Sequence, residues 1–239
     1  MRLLVIGGCG HVGSFVVPVL ARTHEIRVLD LRQPRTPVSG VDYHVGDLHD
    51  VDLVASLASE VDSMVFMAMG PVHDWESPET ARQHFDVAVS GLYLALSGAV
   101  RAGVRHVVYT SSMSVYRYPD AEIFTFPDES VPPDAADFYG LAKRLGEEVC
   151  RTATVQHGID ALCLRLCFPV PDDEWPKNDR PRERAISTSG RDTAAAIEAA
   201  LQRRGHGFDV YAISGDATGR MMSLAKARRE LGWAPRDVT

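Results

Sequence analysis

Leu3-Leu4-Val5-Ile6-Gly7-Gly8-Cys9-Gly10-His11-Val12-Gly13 is the stretch from which the rest of the chain can be interpreted. Its four leading apolar residues predict a buried strand, and the apolar run that starts at Val12 predicts a helix. The glycines between them predict a tight turn that a ligand can approach closely, since glycine has no Cβ. The first N–H groups of the helix lack intrahelical partners and attract anions. With Asp30 closing the next apolar run, the pattern predicts a dinucleotide pyrophosphate site.

Strand-like apolar runs alternate with amphipathic helical patterns along the chain. The predicted strands are 3–6, 26–29, 42–45, 64–69, 106–111, 161–167 and 208–213. The predicted helices are 11–22, 51–59, 81–102, 138–157, 193–203 and 223–232. Such alternation indicates a parallel sheet with helices on both faces. The expected fold class is therefore α/β, a Rossmann-type doubly wound parallel sheet.

Two long loops, 71–80 and 117–136, follow predicted strand ends, which is where α/β folds bind substrates. After Cys167 the chain becomes rich in proline and charge, and we interpret 168–184 as an irregular covering segment. We expect residues 1–167 to form the nucleotide-binding Rossmann domain. Residues 168–239 would form a small C-terminal, substrate-covering lobe, interleaved with the last sheet elements in one structural unit.

The composition is that of an ordinary globular protein rather than a nucleic-acid-binding or membrane protein. Of 239 residues, 45% are hydrophobic and 24% charged, and the net charge is −7. An acidic chain without a basic run disfavours nucleic-acid or anionic-membrane partners. The first strand begins at residue 2, so we expect no signal peptide, and no apolar run reaches membrane-spanning length. We expect a cytoplasmic protein with a small-molecule substrate.

The four cysteines show no C-x-x-C pair and no metal-site spacing. Cys163 and Cys167 lie on one face of a predicted strand and are interpreted as buried small hydrophobes, while Cys9 is expected to pack rather than react. We expect neither a disulfide nor a metal site.

Tyr139 and Lys143 form a Y-x-x-x-K pattern at the start of a predicted helix. Residues four apart share a helical face, and a nearby ammonium favours a phenolate, so the pair predicts a proton acceptor for an alcohol or donor to a carbonyl. By itself the spacing is also met by exposed pairs without a role. Upstream, Ser112 lies in a cluster of hydroxyls where a strand ends, and could either orient a substrate oxygen or cap the strand.

These motifs together resemble the extended short-chain dehydrogenase/reductase proteins, and more narrowly their NAD-dependent epimerase/dehydratase group. The resemblance spans nearly the whole chain and is carried by Gly7/Gly10/Gly13, Asp30, Gly46-Asp47-Leu48, Thr110-Ser111-Ser112, Val115-Tyr116, Tyr139-x-x-x-Lys143 and the closing 226–235. It implies Ser112, Tyr139 and Lys143 as catalytic residues.

The resemblance also implies the residues that bind the cofactor. The pyrophosphate would lie against Gly7, Gly10, His11, Val12 and Gly13. The adenosine would be held by Asp30, Leu31, Arg32, Asp47 and Leu48. The inner part of the cofactor would lie against Met67, Ala68, Met69, Tyr139, Lys143, Cys167, Phe168 and Val170. Asp30 favours NAD, since a carboxylate repels a ribose 2′-phosphate, although Arg32 and Arg35 leave NADP as the less favoured alternative.

The chain departs from the group at Ala88, where an asparagine is usual, and at Arg117, where a glycine usually follows the tyrosine. Its C-terminal part is shorter than that of nucleotide-sugar epimerases. In this respect the chain resembles the compact uronate dehydrogenases. That similarity makes Arg184 a candidate for a sugar carboxylate, with a solvated surface charge as the alternative. His73, in the loop 71–80, is the other candidate substrate ligand.

Three functions therefore stay open. The leading one is an NAD-dependent oxidoreductase that interconverts alcohol and carbonyl on a small sugar or sugar-acid-like substrate, with Tyr139 as acid/base. The second is a sugar or nucleotide-sugar epimerase/dehydratase that recycles its cofactor. The third is a catalytically silent NAD(H)-binding regulator. The resemblance further implies a possible homodimer through the helices 81–102 and 138–157.

Overall fold

The computed structural model describes residues 1–118, 125–175 and 181–236. Seven parallel strands form the central sheet, namely β1 Arg2–Ile6, β2 Glu25–Asp30, β3 Asp42–Val45, β4 Ser63–Phe66, β5 His106–Ser112, β6 Asp160–Leu166 and β9 Phe208–Ile213. Their order in the sheet is β3-β2-β1-β4-β5-β6-β9. The Rossmann-type α/β fold class is thereby confirmed.

Helices cover both faces of the sheet. Their bounds are α1 His11–Leu20, α2 Val51–Leu57, α3 Pro78–Phe85, α4 Leu92–Arg101, α5 Phe138–His157, α6 Pro181–Ile186, α7 Gly190–Gln202 and α8 Ala225–Glu230. A second, two-stranded sheet pairs β7 Pro169–Val170 with β8 Thr188–Ser189.

The first strand shows why both faces must be covered. Leu3 and Val5 pack into a core with α1 and α7, whereas Leu4 and Ile6 pack into a separate core with α2 and α4. Successive side chains of a strand point to opposite faces, so an uninterrupted apolar run needs a layer on each side. The parallel sheet follows directly from that run.

Several predicted boundaries were wrong. The strand predicted over 64–69 ends at Phe66, and Met67–Met69 leave the sheet where Ala68 passes close to the backbone of Gly7. The helix predicted over 81–102 begins earlier, at Pro78, because Ser77 caps it and proline suits the first position. It is also interrupted by a π-helical turn, Asp86–Gly91.

The segment 168–184 was predicted to be irregular, but part of it is regular. Pro169–Val170 pair with Thr188–Ser189 to form the small sheet, and α6 begins at Pro181. The predicted loop 117–136 and this segment each include residues outside the described ranges, namely 119–124 and 176–180.

The order of the strands sets the place of the site. The chain runs from β1 outward to β2 and β3, then crosses to β4 on the other side of β1. Where strand order reverses in this way, a crevice opens at the carboxyl ends of the two diverging strands. Here the crevice lies between the turn after β1 and the segment after β4.

Candidate active site

The glycine turn after β1 needs glycine at two positions for different reasons. Gly7 adopts a left-handed φ of +81°, and a Cβ there would lie 2.4 Å from the backbone nitrogen of Ala68. A Cβ at Gly13 would lie 2.2 Å from the carbonyl oxygen of Gly8, across the turn. Such separations are too short for any side chain, so the turn brings bare backbone against bare backbone.

The helix that leaves this turn is open to an anion at its start. Gly10 occupies the cap position of α1 without a side-chain hydrogen bond, and the first turn carries no acidic residue. Uncapped N–H groups and the positive end of the helix dipole suit a pyrophosphate. The His11 ring turns aside to the Pro169 carbonyl at 3.3 Å, while Val12 lines the inner cavity. These residues fit a dinucleotide.

Asp30 closes β2 beside the same turn. Its Oδ2 accepts a hydrogen bond from the Cys9 backbone nitrogen at 2.9 Å, and its Oδ1 accepts one from the Arg32 nitrogen at 3.3 Å. The side chains of Leu31 and Arg32 are exposed. Burial and the Asp30 charge raise the pKa of Cys9 to about 11, so this thiol stays protonated near neutral pH. The prediction that Cys9 packs rather than reacts agrees with this.

The segment after β3 lies at the same edge of the sheet. The Asp47 Oδ1 accepts hydrogen bonds from both the backbone nitrogen and the Nδ1 of His49, at 2.9 and 2.6 Å, and these bonds lower the pKa of Asp47. Leu48 is buried against Gly91 in the π-helical turn. Sequence reasoning placed Asp47 and Leu48 here but missed His49.

A cavity of about 250 Å³ opens at the carboxyl ends of β4, β5 and β6. It brings together many of the predicted residues, namely Val12, Met67, Met69, Ser112, Tyr139, Lys143, Cys167 and Phe168. It also contains residues that sequence reasoning did not assign, among them Tyr116, Tyr118, Phe126 and Asp137. The candidate substrate ligands His73 and Arg184 are both exposed and are not among its lining residues.

Ser112 and Tyr139 meet in this cavity. Asp137 caps α5 by accepting a hydrogen bond from the Gly140 nitrogen, which fixes the first turn and the Tyr139 it carries. Ser112 ends β5, and its Oγ accepts a hydrogen bond from the Ser114 nitrogen at 3.1 Å. Burial raises the pKa of Tyr139 above its usual value, and a hydrogen bond with Ser112 opposes the shift without cancelling it. The phenol therefore carries its proton at neutral pH.

The expectation that Lys143 lowers the pKa of Tyr139 was wrong. The Lys143 Nζ donates to the Thr110 carbonyl at 2.7 Å and lies 6.0 Å from the Tyr139 ring centroid. Both groups are taken out of water, and burial disfavours the charged form of each. Burial lowers the pKa of Lys143 to about 8, although the charge of Glu147 raises it. For Lys143, desolvation thus outweighs the favourable charge of Glu147.

Two aromatic side chains that sequence reasoning missed pack against Tyr139. Trp75 and His84 lie edge-on to the Tyr139 ring, with centroid distances of 5.7 and 5.5 Å. The His84 Nε2 donates to the Pro71 carbonyl at 3.0 Å, and burial lowers the pKa of His84, so its imidazole is neutral. Trp75, from the loop 71–77, and His84, from α3, therefore form an aromatic cover on one side of the site.

Other classes of site find no support in the part of the chain that the structure describes. Within it, no group of three or more His, Cys, Asp or Glu side chains could hold a metal ion. Among the same residues, no helix combines the length and apolar character needed to cross a membrane.

Comparison with known proteins agrees with this geometry. A model of the NAD dependent epimerase/dehydratase family matches residues 3–187. L-arabinose 1-dehydrogenase (NAD(P)(+)) of Haloferax volcanii is 26% identical over 99% of this chain and 96% of that protein. UDP-glucose 4-epimerase of Neisseria meningitidis is 30% identical, but over 62% of this chain and 47% of the epimerase. Among solved structures, a mutated uronate dehydrogenase superposes with a TM-score of 0.83 at 26% identity, covering 99% of this chain and 82% of that one.

Proposed function

Because the chain belongs to the NAD dependent epimerase/dehydratase family, we propose that it is an NAD-dependent oxidoreductase that interconverts alcohol and carbonyl on a small sugar or sugar-acid-like substrate. The observation that carries the proposal is the meeting of Ser112, Tyr139 and Lys143 in one cavity beside the glycine turn. The near-complete overlap with an arabinose dehydrogenase supports a dehydrogenase over the family's other activities.

We assign the steps of the reaction to three side chains. Ser112 orients the reacting oxygen of the substrate, and Tyr139 exchanges a proton with it. In the direction of carbonyl reduction the protonated phenol is ready to donate, consistent with its raised pKa. Lys143 would hold the nicotinamide ribose through its ammonium. When bound, the cofactor supplies a hydride acceptor or donor for the substrate carbon.

The same proposal places the cofactor along the crevice. The glycine turn with His11, Val12 and Gly13 would hold the pyrophosphate, and Asp30 with Leu31 and Arg32 the adenosine ribose. Asp47 and Leu48 would hold the adenine. The segment Met67–Met69 and residues Cys167, Phe168 and Val170 would flank the nicotinamide half. NAD is the cofactor of the family, and the NAD(P)(+) usage in the name of the arabinose dehydrogenase keeps NADP as an alternative.

We propose that residues 168–239 cover the substrate, with Phe168 and Pro169 at the cavity wall. Arg184 or His73 could reach a substrate carboxylate only by a movement of its own segment, since neither lines the cavity. An Arg184→Ala variant tests whether Arg184 contacts a substrate carboxylate. A KM that rises for uronic acids but not for neutral aldoses supports that contact.

A homodimer is a further part of the proposal. Exposed apolar side chains lie on α4 and α5, among them Tyr93, Leu141, Leu145 and Val155. Light scattering during size exclusion would give twice the chain mass for the wild type and the single mass for Leu145→Glu. A wild-type chain of single mass at micromolar concentration would contradict the dimer.

The deciding experiment is a screen of neutral aldoses, uronic acids and nucleotide sugars with NAD and with NADP, following NADH or NADPH absorbance. We expect net reduction of NAD with one of the small sugars, and its loss by more than about a hundredfold in Tyr139→Phe. NADH binding, followed by fluorescence, should survive that substitution.

The alternatives give different results in the same screen. A sugar converted without net NADH indicates an epimerase or dehydratase that recycles its cofactor. The short match to UDP-glucose 4-epimerase makes this the second candidate. Tight NADH binding without conversion of any sugar would point to a regulator and overturn the enzymatic proposal.

A further inference from the structure

A buried ion pair lies behind the catalytic face of α5. Glu147 follows Lys143 by one helical turn, and its carboxylate receives both arms of the Arg165 guanidinium, Nε to Oε1 at 2.9 Å and Nη2 to Oε2 at 2.7 Å. The Ser111 hydroxyl donates to the same Oε1 at 2.6 Å. Both side chains of the pair are about 95% buried. The pair joins α5 to the last residues of β5 and β6.

The remaining arm of Arg165 reaches the wall of the substrate cavity. Its Nη1 donates to the Tyr116 hydroxyl, which in turn contacts the Asp128 and Val131 carbonyl oxygens at 2.8 and 3.1 Å. The Tyr116 ring lines the cavity, but its hydroxyl is engaged on the protein side. The contacts therefore run without interruption from the helix that carries Tyr139 to the segment 126–131.

The segment held by Tyr116 belongs to the aromatic part of the cavity wall. Phe126 lines the cavity, packs edge-on to Tyr118 at 5.9 Å between centroids, and donates its backbone N–H to the Met221 carbonyl at 2.7 Å. A shift of the Tyr116 hydroxyl would move this wall relative to Tyr139. Catalysis is sensitive to such shifts, because reacting groups must be held within a fraction of an ångström.

We propose that Glu147, Arg165 and Tyr116 are positioning residues that set the aromatic wall of the substrate cavity against the catalytic face of α5. The expected effect on the KM for the sugar rests on the proposed function. The expected effect of Glu147 on the ionisation of Lys143 does not.

Stability alone gives little reason for this arrangement. Removing two charges from water is costly, and a buried pair is often no more stabilising than well-packed apolar residues of similar volume. A bidentate pair with every arm engaged does, however, fix direction as well as distance. The arrangement therefore specifies where its partners lie.

The same carboxylate acts on Lys143. The charge of Glu147 opposes the effect of burial and favours the ammonium form. The other titratable or charged side chains that face or surround Lys143 are Tyr139, Tyr109, Cys150, Cys163, His84 and Arg165. When the Glu147 charge is removed, the Lys143 ammonium should therefore lose its proton at a lower pH than in the wild type.

The first test uses Tyr116→Phe, which keeps the ring at the cavity and removes the hydroxyl that holds the segment 126–131. We expect the KM for the sugar to rise about tenfold while the Kd for NADH stays within about twofold. An unchanged KM would overturn the positioning role of Tyr116.

The second test needs no substrate. It measures the Kd for NADH from pH 6 to pH 10 in Glu147→Gln and in Glu148→Gln, a neighbour whose carboxylate pairs with Arg151 on the surface. We expect affinity to fall at a pH lower by about one unit in Glu147→Gln and to be unchanged in Glu148→Gln. Coincident curves for Glu147→Gln and the wild type would overturn the role of Glu147.

Folding is controlled by a double variant, Glu147→Gln with Arg165→Met, which leaves no unpaired buried charge. It should fold and show the raised KM of Tyr116→Phe. Its NADH curve should shift in the same direction as that of Glu147→Gln but by less, because the Arg165 cation, which disfavours the Lys143 ammonium, is removed as well. A double variant with wild-type KM and wild-type NADH curve refutes the whole proposal. A wild-type protein without turnover would refute the proposed function alone, because the NADH curves would still decide the role of Glu147.

Discussion

The ammonium of Lys143 is bonded to the backbone of Thr110 and not to the phenol of Tyr139. The Nζ lies 2.7 Å from the Thr110 carbonyl oxygen and 6.0 Å from the Tyr139 ring centroid. The backbone of β5 thus holds the end of the lysine side chain. A carbonyl dipole offsets only part of the desolvation of an ammonium, which is why the pKa of Lys143 falls to about 8.

Lys143 should make folding stability and cofactor affinity depend on pH in opposite directions. Its pKa is about 8 in the folded chain and 10.5 as the ordinary value. Between these two pH values the unfolded chain binds the extra proton, so the contribution of Lys143 to stability rises with pH. The ammonium that would hold the ribose is lost over the same interval, so NADH affinity falls.

The measurement is urea unfolding and NADH fluorescence at pH 7, 8, 9 and 10 for the wild type and Lys143→Met. The difference in unfolding free energy between the two proteins isolates Lys143 from the raised cysteine and tyrosine pKa values. A difference that stays flat from pH 8 to pH 10 would show that Lys143 is not desolvated as described.

Gly7 and Gly40 offer a matched pair of substitutions. Both glycines adopt a φ of +81°, but a Cβ at Gly7 would strike the backbone of Ala68 whereas a Cβ at Gly40 would meet no atom within 4 Å. Gly40→Ala should lower the free energy of unfolding only by the cost of a left-handed backbone, about 1–2 kcal/mol, and should leave NADH binding intact. Gly7→Ala should lose more stability and should lose NADH binding, as judged by unfolding and fluorescence titration. Equal losses for the two variants would mean that close approach at Gly7 is unimportant.

Asp30→Asn tests the basis of cofactor preference without removing the hydrogen-bond acceptor for the Cys9 backbone. Loss of the carboxylate charge should weaken NAD binding by about tenfold and raise the ratio of NADP to NAD activity. It should also lower the pKa of the Cys9 thiol, which the Asp30 charge raises, so that Cys9 reacts faster with a disulfide reagent.

Asp42→Asn is the control for Asp30, because Asp42 begins the neighbouring strand and pairs with His44 at the surface. It should change neither the cofactor ratio nor the reactivity of Cys9. An NADP preference that is the same in Asp30→Asn as in the wild type would place the discrimination elsewhere, with Arg32 and Arg35 as the next candidates.

The fold and the position of the glycine turn could be predicted because they depend on local patterns. The run 3–6 must be covered on both faces, and the glycine turn follows it directly. The helix predicted over 138–157 has these bounds in the structure, where Asp137 caps its start and Gly158, in the left-handed conformation, ends it. These signals are contained within a few consecutive residues.

The rest depended on contacts between distant segments. Trp75 packs against Tyr139, and Arg165 against Glu147 and Tyr116, over sequence separations that no spacing rule covers. The i, i+4, i+8 series of Tyr139, Lys143 and Glu147 on one helix face was the one local signal for Glu147. The pKa of Tyr139 was mispredicted for a related reason, because burial is a property of the folded chain and not of the Y-x-x-x-K spacing.

The final residues of β5 limit how the sequence of this region can evolve. The Thr110 carbonyl holds Lys143, the Ser111 hydroxyl holds Glu147, and Ser112 contacts Tyr139. Because three consecutive positions each serve a different turn of α5, inserting or deleting one residue before them would mismatch all three contacts at once. Loops at the mouth of the cavity can lengthen or shorten to suit a new substrate. The end of this strand cannot change its length, and only Thr110, which acts through its backbone carbonyl, can exchange its side chain without loss of one of these contacts.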